Sequence, residues 1–201
     1  RCVAGTCTPT TEQHCAPCLS CLPEGGCVAH PWGDCHRPTE RLSGELEIVA
    51  RPHLRLIEWS WVEGEATSRQ ELGNPLADDR YSFCVYDESA ATPRIAFAAT
   101  TRTDPCGKKS CWKPTGKTGF HYSAPASDLL RKVVLKSGAD GKAKVLVAAK
   151  GDRLVLPTLP MTLPLRAQLQ AENGQCWESE FVADGVSKND PKHFRAKATL
   201  R

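Results

Sequence analysis

The sequence Lys132-Val-Val-Leu-Lys136, Ser137-Gly-Ala-Asp-Gly141, Lys142-Ala-Lys-Val-Leu-Val147 has two arms rich in valine and leucine around a five-residue segment of turn formers. β-Branched residues favour extended backbone, and Gly and Asp favour the tight reversal between two strands. The pattern therefore predicts a β-hairpin in this part of the chain.

The flanking sequence repeats this pattern of short strands and turns. Leu163 to Ala171 and Cys176 to Phe181 enclose Asn173-Gly174, a dipeptide typical of hairpin turns. Tyr81 to Asp87 is predicted as a core strand, with Arg94 to Thr101 as its antiparallel neighbour. Because Gly and Pro are frequent, at 15 each, long helices are not expected. Residues 42–201 are predicted to form an all-β sandwich, immunoglobulin-like or jelly-roll-like in topology.

The first part of the chain has a different composition. Seven of the eleven cysteines fall in this segment, which has no apolar periodicity and is too short to bury a core. We therefore expect residues 1–41 to be a small, mostly irregular module held by disulfides. The cysteine density also predicts an oxidising location, so that the protein is secreted or lies on a cell surface. The seven cysteines are Cys2, Cys7, Cys15, Cys18, Cys21, Cys27 and Cys35.

The four remaining cysteines are predicted to pair within the sandwich. Cys84 and Cys176 lie in the centres of predicted strands and are expected to bond to each other. Cys106 and Cys111 are five residues apart, which suits a local bridge across a loop tip. If both pairs form, the unpaired thiol implied by the odd cysteine count lies in the first module.

Two details of the first module bear on its chemistry. The odd thiol could pair with the body, with residues missing upstream or with a neighbouring chain, and a partner of Cys2 lost from a longer precursor is the first choice. Such a precursor, or a lost signal peptide, is consistent with a chain that begins at Arg1. Cys15-x-x-Cys18-x-x-Cys21 has metal-ligand spacing, and zinc is the alternative to disulfides there. Disulfides are favoured in an exported chain, and no metal or other cofactor is predicted.

Positive charge is concentrated in one part of the chain. The net charge is +3, but residues 102–153 hold twelve Lys and Arg against four Asp, a local +8. One interpretation is that solvent-facing lysines discourage edge-to-edge pairing of strands. The other is a patch for acidic polysaccharide or another polyanion. Specific nucleic-acid recognition is not expected, because no aromatic residues are interleaved with the lysines.

The five tryptophans offer a possible sugar-binding platform. Trp59, Trp61 and Trp177 lie in predicted strands and are expected in the core. Trp112, between Cys111 and Lys113, is the candidate for an exposed aromatic face, although packing over a disulfide is an equal alternative. The possible ligand surface consists of Trp112, Lys108, Lys109 and Lys113.

No catalytic motif is present in the sequence. The chain lacks His-Glu-x-x-His, Gly-x-Ser-x-Gly and a glycine-rich phosphate loop. Neighbouring carboxylates such as Asp78/Asp79 or Glu178/Glu180 could form a glycosidase pair, but solvent-facing or capping roles are the simpler interpretation. We therefore predict a protein that is not an enzyme. No stretch reaches the eighteen apolar residues of a membrane span.

Several short motifs carry a resemblance to other proteins. They are Cys15-Ala-Pro-Cys18, Gly25-Gly-Cys27, Tyr81-Ser-Phe-Cys-Val-Tyr-Asp87, Cys111-Trp-Lys113, Gly141-Lys-Ala-Lys144, Cys176-Trp-Glu178 and Lys188-Asn189. Through them, nearly the whole chain resembles a group of uncharacterised exported bacterial proteins in which a cysteine-rich repeat precedes a β-rich domain. The resemblance implies export and this architecture, and it assigns no catalytic residue.

Two functions follow from the sequence as hypotheses. The first is a non-catalytic secreted or surface structural and adhesive protein that contacts itself or other surface proteins, for example as a subunit of a filament. The run from His193 to Leu200 motivates it. This last strand either packs on its own sandwich or is donated to a neighbouring subunit, and donation would link one subunit to the next. The alternative is a carbohydrate-binding module of a larger exported protein.

Overall fold

The computed structural model describes residues 2–3, 6–7, 15–22, 26–77 and 79–199. Sixteen strands and one short 3₁₀ turn, Ala183–Gly185, account for the regular structure of these residues. The strands are β1 (Cys2–Val3), β2 (Thr6–Cys7), β3 (Leu19–Cys21), β4 (Cys27–Ala29), β5 (Gly44–Arg51), β6 (Leu54–Gly64), β7 (Tyr81–Asp87), β8 (Arg94–Thr100), β9 (Trp112–Thr115), β10 (Gly119–Ser123), β11 (Leu130–Lys136), β12 (Ala143–Lys150), β13 (Leu165–Ala171), β14 (Cys176–Phe181), β15 (Val186–Asp190) and β16 (His193–Lys197).

Two antiparallel sheets form a β-sandwich, as the sequence predicts. The larger sheet has the strand order β15-β16-β5-β6-β12-β11-β10-β9, and the smaller has the order β14-β13-β7-β8. The chain crosses between the sheets after each of the pairs β5-β6, β7-β8 and β13-β14, and after the four-strand meander β9 to β12. Two further short hairpins, β1-β2 and β3-β4, lie in the first module.

The core lies between the two sheets and follows the two-residue period of the strands. In β12 the residues from Ala143 to Ala149 alternate regularly between buried and half-buried. Trp59, Trp61 and Trp177 are at most 1% exposed, which confirms their predicted core positions. Trp59 stacks on Phe83 of the opposite sheet with ring centroids 5.7 Å apart.

The predicted hairpins form where the sequence places them. β11 and β12 pair from Leu130 with Ala149 to Lys136 with Lys144, and Gly141 has the left-handed φ of +73° in the connecting turn. β13 and β14 pair across Asn173-Gly174, with φ of +89° at Gly174. Only glycine adopts such backbone readily, so these residues determine where each hairpin turns.

Parts of the first module lie over the outer face of the smaller sheet, which they contact through Cys18, Trp32, Cys35 and Arg37. The side chains that β7, β13 and β14 direct away from the core are buried by these parts. They are Cys84, Tyr86, Gln168, Gln170 and Glu178, each at most 4% exposed. The first module therefore contacts the sandwich at Cys18 and Ala29 and between Trp32 and Arg37. After residue 15, β3 and β4 are the regular elements of its described part.

The disulfide pairing differs from the prediction for two body cysteines. Cys84 bonds to Cys18 and Cys176 bonds to Cys35, so the predicted Cys84–Cys176 bond is wrong. Cys84 and Cys176 lie on the same sheet with β13 between their strands, about 10 Å apart across two strand spacings, which no disulfide can bridge. Both also point away from the core, toward the first module. The module is covalently tied to the sandwich rather than a separate appendage.

The remaining cysteines are those of the Cys106–Cys111 loop and those of the first module. Cys106 bonds to Cys111, as predicted. Cys15 bonds to Cys27, and the Sγ of Cys21 lies 3.0 Å from the Sγ of Cys15. With Cys15 and Cys18 both in disulfides, the alternative zinc site is wrong. The side chains of Cys2 and Cys7 lie outside the described residues, and with them the prediction for Cys2.

A polar network fills the contact between the first module and the sheet. The side-chain amide of Gln168 both accepts from the Trp32 N–H, at 3.0 Å, and donates to the Trp32 carbonyl, at 2.8 Å. Tyr86 Oη donates to the Cys18 carbonyl, and Gln170 donates to Tyr86 Oη. Burial, opposed by the Gln170 hydrogen bond, raises the pKa of Tyr86 to about 12, so the phenol stays neutral. Buried polar groups that are satisfied in this way hold one docking geometry.

The last strand lies in the sandwich of its own chain. β16 pairs with β5 from His193 to Lys197, and Thr199 then bridges to Glu180 at the edge of β14. His36 bridges to Trp177 along the same edge. The outer edge of the smaller sheet is thus covered at β14 by the first module, through His36, and by the end of the described body, through Thr199.

Candidate polyanion-binding surface

Strands β9 to β12 carry six cations and no acidic residue. Since the inward side chains of these strands alternate with outward ones, five of the cations share the solvent face of the larger sheet. We call this the cationic face, defined by Lys113, Lys132, Lys136, Lys144 and Lys150 together with His121. Lys113, Lys132, Lys136 and Lys150 are exposed, and Lys144 and His121 are half-buried.

Two of these lysines face each other directly. Lys136 on β11 is the register partner of Lys144 on β12. Like charges in directly opposed positions of an antiparallel pair destabilise the sheet. Among the described residues, neither lysine forms an ion pair that would offset this repulsion.

Protection of sheet edges does not explain these lysines. β9 is an edge strand, and Lys113 with Pro114 suits that role. β11 and β12, however, lie inside the eight-stranded sheet, with β10 on one side and β6 on the other. Lys132, Lys136, Lys144 and Lys150 therefore guard no edge.

Arginines of the same region have internal partners, whereas the lysines do not. Arg102 contacts Asp128 at 3.4 Å, and Nε of Arg131 donates to the Ala124 carbonyl at 3.1 Å. Nη2 of Arg153 donates to the Ser127 carbonyl at 3.0 Å. Arg102 is thus paired with a carboxylate, while Arg131 and Arg153 are held by backbone carbonyls; among the described residues, the lysines are the cations of the sheet face with no such contact.

On the neighbouring part of the sheet face the carboxylates of β5 are paired, whereas the exposed Glu58 of β6 lies diagonally across from Lys150 of the cationic face. Glu58 on β6 lies beside Ala148 and opposite Glu47 on β5. Glu47 is bonded to His193, at 2.8 Å, and Glu45 to Arg195, at 2.9 Å. The carboxylates of β5 thus pair with β16, on the side away from the cationic face.

The disulfide-closed loop adds two further lysines at one end of this face. Lys108 and Lys109 are exposed between Cys106 and Cys111. The loop is held against the end of β10, because the Ser123 N–H donates to the Cys111 carbonyl at 2.9 Å. Ser123 is in turn the register partner of Lys132. The structure thus brings Lys108, Lys109 and Lys113 to the end of the sheet where Lys132 lies.

Trp112 is not part of that surface. Its side chain is 4% exposed and packs between Tyr81 and Tyr122, with ring centroids 5.1 Å away in both cases. Trp112 takes the inward position of β9, so Lys113 takes the outward one. The prediction of an exposed aromatic platform at Trp112 is wrong, and the three aromatic rings of β9 and β10 all face the core.

Sequence reasoning missed most of the cationic face. It named Lys108, Lys109 and Lys113 but not Lys132, Lys136, Lys144 or His121 as site residues. The alternation of residues in β11 could have identified these lysines, because Lys132, Val134 and Lys136 alternate with the buried Val133 and Leu135 in a strand that the sequence predicts. What the sequence lacks is the pairing that sets β10 and β9 beside that hairpin.

An open cleft of about 970 Å³ lies where the first module meets the body. Its wall includes Glu63, Glu65 and Asp140, but each carboxylate already accepts a hydrogen bond from the protein: from Ser43 Oγ, the Arg37 N–H and the Ala66 N–H respectively. Among the described residues, no group of three His, Cys, Asp or Glu is arranged to hold a metal ion. Three of the four acids that line the cleft, all except Glu40, therefore have a structural use.

Two of the carboxylates considered for a glycosidase pair, Glu178 and Asp79, have structural partners. Glu178 is buried under the first module and accepts from Arg37, Arg166 and Gln168, at 2.8 to 3.0 Å. Burial alone would lower the pKa of Arg166, but its bonds to Glu88 and Glu178 outweigh burial and raise it. Asp79 accepts from the Asn74 N–H at 2.6 Å, and Asp78 lies outside the described residues.

The comparisons with known proteins give no relative. No protein-family model, no curated protein and no solved structure matches this chain. In the described part of the chain, no helix is long and apolar enough to cross a membrane.

Proposed function

We propose that this protein is an exported, non-catalytic adhesive protein that binds acidic polysaccharide through the cationic face. The observation that carries the proposal is the direct opposition of Lys136 and Lys144 on interior strands, without a described counter-ion. Such an arrangement costs stability in the free protein and is relieved by an anionic ligand. The four described disulfides support an oxidising, extracellular location.

The layout of the charges favours a polymer over a small anion. Lys132 and Lys136 are about 13 Å apart along β11, and the four strands span about 14 Å in the pairing direction. An extended ligand with several charges can contact these lysines together. Val134, Leu146 and Ala148 lie half-buried among the lysines, which suits the C–H faces of sugar rings better than a hydrated inorganic ion.

Nucleic acid fits this surface less well. Sequence-tolerant binding of single strands uses aromatic side chains on which bases stack. In β9 to β12 Trp112, Phe120 and Tyr122 all point into the core, and His121 is the one ring on the solvent side. Acidic polysaccharide is therefore the ligand class that the surface supports best.

The test compares two triple variants of equal net charge. In one, Lys132, Lys136 and Lys144 are changed to Thr; in the other, the exposed Lys188, Lys192 and Lys197 at the far end of the same sheet are changed to Thr. Binding of polygalacturonate, dextran sulfate and neutral dextran is measured by calorimetry at low salt and at about 0.5 M salt. We expect both acidic polymers to bind, neutral dextran not to bind, and salt to weaken the binding.

The first triple variant should lose about tenfold or more in affinity, and the second less than about threefold. Equal losses in the two variants would mean that net charge alone attracts the polymer, without a site. Absence of binding to both acidic polymers would overturn the proposal.

Self-association is a second candidate, and one observation favours it. β8 is an edge strand with one charged residue, Arg94, and no described residue forms a β-bridge with its outer side. Edges of this kind can pair with another chain. Sedimentation at rising concentration tests this, with Ala98→Lys as the variant expected to abolish any dimer. A wild-type chain that stays monomeric at millimolar concentration would exclude a filament built in this way.

A further inference from the structure

His121 occupies the middle of the cationic face. It lies on β10, directly between Lys113 of β9 and Val134 of β11 in the register. Its ring points to the solvent side of the sheet, because Phe120 and Tyr122 on either side of it point into the core. A ligand lying across the lysines of β9 and β11 must therefore pass over this imidazole.

The charged groups that face His121 are all positive. Lys113 approaches from β9 and Lys132 from β11, and the outward neighbours on β10, Gly119 and Ser123, are uncharged. Partial burial, then Lys132 and Lys113, lower the pKa of His121. The imidazole is therefore neutral near pH 7 when the face is free.

Other histidines of the chain have a different environment. His36 contacts Glu71 at 3.4 Å, and His193 contacts Glu47 at 2.8 Å. Each of these two rings therefore already contacts a carboxylate of the protein. For His121, no carboxylate on β9 to β12 can fill that role, since those strands contain none.

A bound polyanion reverses the balance at His121. Sulfate or carboxylate groups placed over the face offset the repulsion from Lys113 and Lys132 and accept a hydrogen bond from the protonated ring. Linkage then requires that protonation favour binding as much as binding favours protonation. The proton that His121 takes up comes from solvent.

We propose that His121 is a ligand-contacting residue of the cationic face, whose protonation strengthens the capture of acidic polysaccharide as the surroundings become acidic. This inference depends on the function proposed above, because it concerns the same surface. It adds a regulated contact that the lysines alone do not provide.

The experiment uses dextran sulfate, whose sulfate esters stay ionised across the range tested. Affinity is measured at about pH 7.5 and about pH 5.5 at constant ionic strength. Wild-type protein should bind about three- to tenfold more tightly at the lower pH, since each pKa unit by which the ligand favours the charged ring corresponds to tenfold. His121→Gln should match the wild type at the higher pH and show little gain at the lower one. His121→Lys should bind tightly at both.

His30→Gln is the matched control, because His30 is exposed in the first module, away from the larger sheet. It should keep the full pH-dependent gain. NMR titration of His121 in the wild-type protein, with and without dextran sulfate, gives a readout that needs no variant: the ligand should raise the pKa of this residue.

The outcomes separate the two claims. Binding that is equal at both pH values, or a gain that His121→Gln retains, would overturn the role of His121 and leave the polysaccharide site intact. If the wild-type protein binds dextran sulfate at neither pH, both the role of His121 and the proposed polysaccharide-binding function are overturned.

Discussion

Lys136 of β11 and Lys144 of β12 are directly opposed on the solvent face of the larger sheet. Both strands are interior strands, so the two ammonium groups serve no purpose at an edge. A sheet selected for stability alone would place opposite charges there. The pair is thus the point at which the stability of the fold and the proposed binding function conflict.

Lys136→Glu should separate stability from binding. The new carboxylate faces Lys144, so we expect the free energy of unfolding to rise by about 0.2–1 kcal/mol. Polygalacturonate binding should weaken by about tenfold, because the change removes one positive charge and adds a negative one. Urea unfolding and calorimetry measure the two effects. Lys192→Glu, in the exposed β15–β16 turn, serves as the control. A variant that is less stable and binds equally well would contradict the prediction.

The Cys18–Cys84 bond should contribute more to stability than the Cys106–Cys111 bond. The first closes a separation of 66 residues and the second a separation of 5. Chain-entropy arguments give about 4 kcal/mol for the longer loop and about 2 kcal/mol for the shorter. Paired Cys→Ser variants of each bridge, compared by urea unfolding, test this order. Peptide mapping without reduction should also recover the Cys18–Cys84 and Cys35–Cys176 linkages, and a Cys84–Cys176 linkage would contradict the structure.

Glu178→Gln should destabilise the contact between the first module and the sheet. The substitution leaves Arg37 and Arg166 without the buried carboxylate that accepts from both, and loss of one partner of a buried pair costs about 3 kcal/mol. Glu172→Gln, which breaks the exposed pair with Arg80, should cost less than about 1 kcal/mol. The free energies of unfolding of the two variants give the comparison. Equal, small losses would mean that the network under the module does not hold it.

His121 should also make the free protein less stable at mildly acidic pH. Its pKa in the folded chain lies below the reference value of 6.5, because burial, Lys132 and Lys113 disfavour the charged ring. The unfolded chain therefore binds the proton first, and the contribution of His121 to stability is lost as the pH falls through 6.5. As the pH is lowered from about 7.5 to about 5.5, the melting temperature of the wild type should thus decrease relative to that of His121→Gln. A constant difference would contradict this sign.

Local patterns predicted the sandwich well. The hairpins at 132–147 and at Asn173-Gly174 and the pairing of Tyr81 to Asp87 with Arg94 to Thr100 all form as expected. Alternation and turn residues act over a few positions, so they are legible without the rest of the fold. Trp112 was misjudged, because the direction of a strand residue depends on the parity of its strand, and β9 is only four residues long.

By itself the sequence determined the all-β class, the hairpins and the dense cross-linking of the first module, since each depends on residue types and short spacings. Only the tertiary structure decided which cysteines meet and which lysines share a surface. Cys84 and Cys176 point outward from strands separated by β13, so the module that covers them supplies both partners. Likewise, strand order and register place Lys113, His121 and Lys132 beside Lys136 and Lys144. Both outcomes depend on long-range pairing, which no local stretch of sequence encodes.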